Sequence, residues 1–313
     1  MASVDILCPT YNCALHIRAL VDSIRAQSHQ DWRLILRDDG STDGTVDLLK
    51  KIKAENGPNV QVVQDELGNL GPVGSFERLL SLSNAPYAMF CDHDDVWLQD
   101  KIAVTLERMR VLEIKQGEGV PCLVHTDLKV TDDALNVQAQ SLWDYQHLDA
   151  GAGCVFTRLL LTNVITGCTV MINEALRERA LPFPDGVIMH DWWAGLVASQ
   201  FGEIASLPQP TILYRQHGQN DTGAKSWGYL HVLKKVPKFF DTSTLDKDLA
   251  RASSQAAGFL SRFGNDLPPE RRRTLQDFAG LPAQNWLRRR LTMIEHGILR
   301  HGLVRNLSLL LRM

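Results

Sequence analysis

The chain has 313 residues, with 33 Lys/Arg against 36 Asp/Glu and a formal charge of −3. At about 150 residues per domain this allows two modest domains or one large one with an appendage. With 44% apolar and 22% charged residues the composition is globular, which excludes a disordered chain, a collagen or a coiled-coil rod and gives no reason to expect a nucleic-acid partner.

From the N-terminus, Val4 to Cys8 reads as a strand stopped by Pro9, and Ile17, Leu20, Val21 and Ile24 recur at helical spacing. Trp32 to Leu36 is a second strand, followed by an Asp/Gly turn and a helix over Thr45 to Lys53, and Val60 to Val63 is a third. A helix over Ser75 to Leu82 leads into a strand at Tyr87 to Cys91, and Asp100 to Leu112 resumes the helical period. Strands and helices alternating at these lengths predict an α/β layer with a mainly parallel sheet. After Pro121 the rhythm loosens: Leu123 to His125 and Thr169 to Ile172 read as strands, and Asp191 to Gln200 as a helix. Beyond Lys225 the pattern is mostly helical, punctuated by Pro237, Pro268, Pro269 and Pro282, and a boundary is expected near 220–230.

Six cysteines, at 8, 13, 91, 122, 154 and 168, form no CxxC pair and no zinc-finger spacing, so free thiols in a reducing compartment are expected. The best apolar run, Val155 to Ile172, contains Arg158 and Asn163 and does not make a membrane span of about 18 residues. Asp5 and the lack of a basic leader argue against a signal peptide. The expected location is cytoplasmic. Charge is uneven: residues 1–100 carry 8 Lys/Arg and 15 Asp/Glu, whereas 226–313 carry 15 and 7. Such asymmetry suits a cation-binding acidic end and a basic tail drawn to an anionic surface, or else solvated faces.

In an open α/β sheet, ligands collect beyond the carboxyl ends of the strands. Three segments qualify: Pro9-Thr10-Tyr11-Asn12, Asp38-Asp39-Gly40-Ser41-Thr42-Asp43-Gly44, and Asp92-His93-Asp94-Asp95. No GxGxxG follows the first strand and no GxxxxGK[ST] occurs, which removes the usual dinucleotide and P-loop readings. A calcium loop starting at Asp39 would place Lys50 where a bidentate Glu belongs, so the turn is read as a helix cap by Ser41, Thr42 or Asp43. Asp92, Asp94 and Asp95 crowd three carboxylates together and call for a cation. Hard oxygen ligands suit Mg²⁺ or Mn²⁺, unless the cluster is an exposed acidic turn capping the next helix.

These segments, with Ser23-Ile24-x-x-Gln27-Ser28, Val96-Trp97, His190-Asp191-Trp192-Trp193 and Tyr214-Arg215-Gln216-His217-x-x-Asn220, resemble glycosyltransferase family 2. The D-x-D-D-x-W run is most similar to its rhamnosyltransferase branch. The resemblance spans roughly residues 4–222 and implies a GT-A fold, an inverting sugar transfer from a nucleotide diphosphate donor, and a divalent cation, Mg²⁺ or Mn²⁺. It implies Pro9, Thr10, Tyr11 and Asn12 at the nucleoside, Asp39 on a pyrimidine edge, Asp92 at the ribose or metal, and Asp94 as metal ligand with His217. Asp191 matches the base position at the start of a helix, whose N-terminus favours the anion. Trp192, Trp193, Arg215, Asp95 and Gly71 are candidate donor or acceptor contacts. Trp192 and Trp193 are sugar platform or core, and Arg215 would neutralise the leaving diphosphate. In the Asn69-x-Gly71-x-x-Gly74 loop, Ser75 stands where relatives often have Asn.

The expected layout is a catalytic region at 1–225, divided into a nucleotide-sugar half at 1–120 and an acceptor half at 121–225, with a helical extension at 226–313. The expected donor is dTDP-L-rhamnose, and the acceptor a glycan or lipid-linked saccharide. Trp286 to Met313 carries Arg288, Arg289, Arg290, Arg300, Arg305 and Arg312 against Glu295 alone, interleaved with Leu, Ile and Val. That pattern suits an interfacial helix at the inner face of the cell membrane, or a helix packed on the catalytic region or in a homodimer; Gly297 and Gly302 weaken it as one helix. The competing readings are a nucleotide-sugar-binding subunit without turnover, and a nucleotidyltransferase that would release pyrophosphate.

Overall fold

A computed structural model describes residues 3–117, 119–217, 243–300 and 302–313. Asn220, Pro237 and the expected boundary at 220–230 lie outside the described residues. The chain divides into two compact units.

Among the described residues, the first unit holds 3–146, 165–181 and 189–217 and contains the sheet. Its strands are β1 (Val4–Thr10), β2 (Trp32–Asp38), β3 (Val60–Val62), β4 (Tyr87–Phe90), β5 (Val96–Trp97), β6 (Cys122–Thr131), β7 (Val137–Ala139), β8 (Val170–Asn173) and β9 (Glu203–Arg215). They lie in the order β3-β2-β1-β4-β8-β6-β9-β5, with β7 on β6. The first four are mutually parallel, as the alternation of strand and helix predicts, while β8 runs antiparallel to both β4 and β6, and β9 parallel to β6. Val4, Ile6, Leu34, Leu36, Met89 and Val124 are sealed in one core, as expected of strands covered on both faces.

β9 escapes a pattern-based reading because Pro208 and Pro210 interrupt it and neither can donate to a ladder. The pairing with β6 absorbs them through register shifts around Asp127, which aligns with Pro210. The expected helices form as Ile17–Arg25, Thr45–Asn56, Gly71–Leu82, Lys101–Gln116 and His190–Phe201. At the second of these the capping position belongs to Gly44, with φ 92, while Asp43 accepts hydrogen bonds from the Thr45 N–H (3.1 Å) and from Ala14 N–H (3.1 Å).

Asp5 enters β1 fully buried. Burial alone would raise its pKa, but Arg33, the Ser83 hydroxyl and the Ala85 N–H all bond to its carboxylate and hold it below the ordinary aspartate value. Asp65 is held down by Arg37 and Arg78. A carboxylate with a depressed folded pKa contributes stability that is present above its unfolded value, about 3.9, and lost as pH falls through the folded one. Thermal melts are therefore expected to show a steep fall in transition temperature below about pH 4, removed at the Asp5 site by Asp5→Asn, whose own stability should change less with acid.

The second unit, by itself, holds 147–164, 182–188 and the described residues from 243 on. It contains the helices Ser243–Phe263, Pro269–Ala279, Trp286–Glu295 and Leu303–Arg312. The stretches 147–164 and 182–188 thus leave the 121–225 half to which the sequence assigns them. Phe156 stacks edge-on with Phe259 at 5.3 Å, Ile188 N–H donates to Gln255 Oε1 at 2.9 Å, and the Asp185 carbonyl approaches Gly258 so closely that a Cβ there would lie 2.7 Å from it. The expected single tail helix is two helices, because Gly297 (φ 62) and Gly302 (φ 90) adopt left-handed backbone between them.

Candidate active site

β1, β2 and β4 are adjacent and parallel, so the segments that follow them emerge together at one edge of the sheet. β1 runs on through Pro9, which the sequence reads as its stop and which is half-buried, to Thr10, and after it Tyr11 is 50% exposed, offering its ring to a ligand. Thr10 corrects the expectation: it is fully buried, and its hydroxyl donates to the Arg37 carbonyl at 3.2 Å, so it braces β2 and cannot lie against a nucleoside. Asn12 takes a left-handed φ of 49 and fastens two turns, its N–H donating to Ser41 Oγ (2.9 Å) and its side-chain oxygen accepting from Thr42 N–H (2.8 Å).

After β2, the two aspartates do different work. Asp38 closes its own turn by accepting from the N–H groups of Gly40 and Ser41. Asp39 reaches across to the 68–71 loop, where its Oδ1 accepts from Leu70 N–H (2.7 Å) and its Oδ2 from Gly71 N–H (2.9 Å). Oδ1 also accepts from Arg37 Nη1 at 2.6 Å. Gly71 therefore supports Asp39 and its N–H is not a free donor for a sugar nucleotide, which corrects its expected role. The remaining donors of the buried Arg37 go to both oxygens of Asp65, to Ser75 Oγ (3.0 Å) and to the Gly68 carbonyl (2.8 Å). Ser75, the departure from the family pattern, is thus a partner of Arg37.

After β4, Asp94 is buried and its Oδ2 lies 2.8 Å from Nε2 of His217, two residues beyond β9. His16 stacks on His217 with ring centroids 5.3 Å apart, and burial pushes His16 below the ordinary histidine value, with Arg215 and His217 adding to it. The donor set fits a hard cation. The 2.8 Å carboxylate–imidazole contact is a direct hydrogen bond, which the pair would exchange for an ion on binding it. Asp95 is fully buried and, through burial and the nearby Asp94 and Asp92, has its pKa raised well above the ordinary value. Its Oδ1 accepts from the Arg215 N–H at 3.2 Å, and ligand atoms of Asp92, Asp95 and Cys168 lie within 4.8 Å of one another. Lys101 is fully buried over the Trp97 ring, 4.8 Å from its centroid, and burial pushes it down to about 8 while Asp95 and Cys168 pull the other way. Arg215 is buried as well, and its guanidinium donates to the carbonyls of Asp94 (2.9 Å) and Asp133. It braces the acidic loop instead of standing out as a clamp for the diphosphate.

The acceptor-side candidates lie on the helix His190–Phe201. Trp193 is fully buried and donates its indole N–H to the Ala180 carbonyl at 2.9 Å, so it is core and is removed from the sugar contacts. Trp192 is half-buried, and its N–H donates to Asp191 Oδ1 at 2.6 Å. His190 lies face to face with Phe76 at 3.5 Å and edge-on to Phe90 at 4.7 Å, and burial lowers its pKa to about 3, which keeps it neutral. The turn Gly167–Thr169 joins the two sides. Cys168 faces Asp92 and Asp95, while a Cβ on Gly167 would lie 3.0 Å from His190 Nε2 and 3.4 Å from Asp191 Oδ2. His190 has aromatic rings around it and little room to give. Gly167→Ala is therefore expected to lower kcat about ten-fold, because displacing a reacting group by 1 Å can cost about 100-fold. Steady-state kinetics with a parallel thermal melt check this, the melt changing far less than the rate.

Arg37, Asp65, His16, Lys101, Cys168 and Gly167 are absent from the motif-based set. For Arg37 and Lys101 a signal existed: a cation at the end of an apolar run or inside an apolar helix face needs a buried counter-charge. Gly167 and Cys168 carry no such mark.

Residues 5–114 match the model of the family described as Glycosyl transferase family 2. This segment is a glycosyl transferase family 2 domain, and the parallel sheet with its acidic edge is the GT-A fold. The dTDP-rhamnosyl transferase RfbG of Shigella flexneri is 26% identical over 221 residues, covering 69% of this chain and 73% of that protein. Three curated relatives, RfbG among them, are matched over 73%, 66% and 41% of their own lengths. Among solved structures, S. aureus TarS 1–349 in complex with UDP-GlcNAc superimposes with a TM-score of 0.56 at 16% identity, covering 87% of this chain and 70% of that one. Mannosyltransferase PcManGT from Pyrobaculum calidifontis, in complex with GDP-Man and Mn²⁺, gives 0.54 at 16% identity over 98% and 84%. At such identities the likeness is one of fold.

Proposed function

We propose that this chain is an inverting glycosyltransferase that moves L-rhamnose from dTDP-L-rhamnose to a hydroxyl of a glycan or lipid-linked saccharide during cell-surface polysaccharide synthesis. The observation that carries the reading is the meeting, across the turn Gly167–Thr169, of the Asp92–Asp95 run and Asp191. The name of RfbG supports the donor. Tyr11 presents an exposed aromatic face to a base, and Asp39, with three donors already on its carboxylate, keeps one acceptor position for a single imide N–H.

Asp94 and His217 would hold Mg²⁺ or Mn²⁺, with Asp92 beside them. When bound, such an ion supplies Lewis-acid stabilisation of the departing diphosphate. Asp191 takes the proton of the acceptor hydroxyl as that oxygen attacks the anomeric carbon from the opposite face. Its Oδ1 is oriented by the Trp192 N–H. Trp192, half-buried at the same helix start, offers its ring to the apolar face of a sugar. Attack in line inverts the anomeric centre and forms no sugar–enzyme bond. The catalytic region is proposed on the first unit, and the extension on the second, to which 147–164 and 182–188 belong.

A panel of nucleotide sugars with Mg²⁺ or Mn²⁺, with and without chelator, tests this by the nucleotide released. dTDP release is expected from dTDP-L-rhamnose, lost with chelator, and lowered about 100-fold or more by Asp94→Ala. Pyrophosphate as the product, or release indifferent to chelator and to Asp94→Ala, would overturn the reading.

A further inference from the structure

Six large apolar side chains stand exposed on the last two helices: Trp286 (65%), Leu287 (52%), Leu291 (41%), Ile294 (55%), Leu307 (61%) and Leu311 (60%). At 100° per residue, Trp286, Leu287, Leu291 and Ile294 occupy roughly 140° of the helix Trp286–Glu295. Thr292, on the opposite side, is buried, and so is Met293, which bounds the stripe about 20° beyond Trp286. Leu307 and Leu311 are spaced i, i+4 and share one face of the helix Leu303–Arg312, with Leu309 buried away from them. The two helices are fastened together, since Arg290 Nε donates to the Leu310 carbonyl at 2.7 Å while its guanidinium lies 4.9 Å from the Trp286 ring centroid. Single exposed leucines need no explanation; a stripe repeated on two joined helices does.

We infer that this stripe is a membrane-docking surface that lies in the interface of an anionic lipid bilayer without spanning it. Charge complementarity selects this occupant: residues 286–313 carry six arginines against one glutamate, and Arg288 flanks the stripe with its side chain 46% exposed, at 4.0 Å from Glu295, while Arg289 pairs with Asp246 at 3.2 Å. A tryptophan at one end with a cation over its ring suits the headgroup level, where an apolar body meets a wet, negatively charged layer. No described helix is long and apolar enough to cross a membrane, so the apolar face enters the interface from the side. The inference stands apart from the sugar-transfer reading, because docking is measured on the protein with no substrate present.

The test is co-sedimentation of the full chain with vesicles of phosphatidylcholine alone or with about 30 mol% phosphatidylglycerol, where an anionic surface attracts juxtamembrane cations. Partitioning is expected to be about ten-fold or more stronger onto the anionic vesicles and to weaken as salt is raised from about 0.1 M to about 0.5 M. The triple variant Leu287→Glu/Leu291→Glu/Ile294→Glu alters only exposed positions and should lose that binding while keeping the wild-type melting transition. Leu307→Glu/Leu311→Glu should weaken it on its own. Equal partitioning onto neutral and anionic vesicles, or unchanged binding by both folded variants, overturns the inference. So does a dimer seen by light scattering without lipid that the triple variant turns into a monomer, since a second copy would then be the occupant.

Discussion

Asp191→Asn is expected to lower the rate of sugar transfer about 1,000-fold while leaving donor affinity within about two-fold, in the range removed with a general base. The expectation follows from how the carboxylate is held. Oδ1 receives the Trp192 N–H and Oδ2 faces the Gly167 backbone, where even a methyl group would lie 3.4 Å away. An amide has the same shape and keeps the acceptor for the Trp192 N–H but loses basicity. The neighbouring His190 is a poor substitute as base, because burial disfavours the imidazolium it would have to become, lowering its pKa to about 3, and its ring is enclosed by Phe76 and Phe90. Donor binding by calorimetry alongside transfer kinetics separates the two quantities. Transfer by Asp191→Asn within about ten-fold of wild type would remove Asp191 from the base role.

Arg37→Leu is expected to be the most damaging single change to the fold, costing about 3–5 kcal/mol, as when one partner of a buried ion pair is removed. Arg37 is 1% exposed, and its departure leaves Asp39 and Asp65 facing each other's charge with the Gly68 carbonyl and the Ser75 hydroxyl without their donor. Arg78 still reaches Asp65 at 3.3 Å but Asp39 has no second cation among its bonds. Arg37→Lys keeps the charge yet cannot span two carboxylates, a hydroxyl and a carbonyl at once, so an intermediate loss is expected. Urea unfolding followed by far-UV circular dichroism measures both. A cost under about 1 kcal/mol for Arg37→Leu, the level of an exposed pair, would show that the network is not holding this edge of the sheet.

Much of the first unit is readable from residue pattern because its parallel strands are covered on both faces and so appear as unbroken apolar runs. The acidic segments at 38–39 and 92–95 follow such runs directly, which is why the edge proposed to hold the nucleotide is visible in the sequence. The acceptor side is harder. The helix His190–Phe201 is buried from His190 through Ala198 apart from Trp192, leaving no apolar stripe by which to tell a core tryptophan from one at a surface. For that reason core and sugar platform both stand open for Trp193 in the sequence, and burial decides for the core. Thr10 is misjudged because a residue one step before an exposed loop can still point into the sheet. Arg37 announces that a counter-charge exists, but nothing local points to Asp65, which comes 28 residues later. β9 is hidden by its two prolines, and the stretches 147–164 and 182–188 by contacts with helices far along the chain.

The helix Gly71–Leu82 touches both sides of the site. Its first N–H is gripped by Asp39, Ser75 in its second turn meets Arg37, and Phe76 one residue later lies flat on His190. Twelve residues make a rod about 18 Å long, and a rod of that kind tilts as a whole. In descendants of this sequence, a change in bulk beneath His190 must therefore be answered by a matching change where Arg37 is received. Positions 37, 75, 76 and 190 should drift as a linked set while the exposed flank of the same helix varies freely.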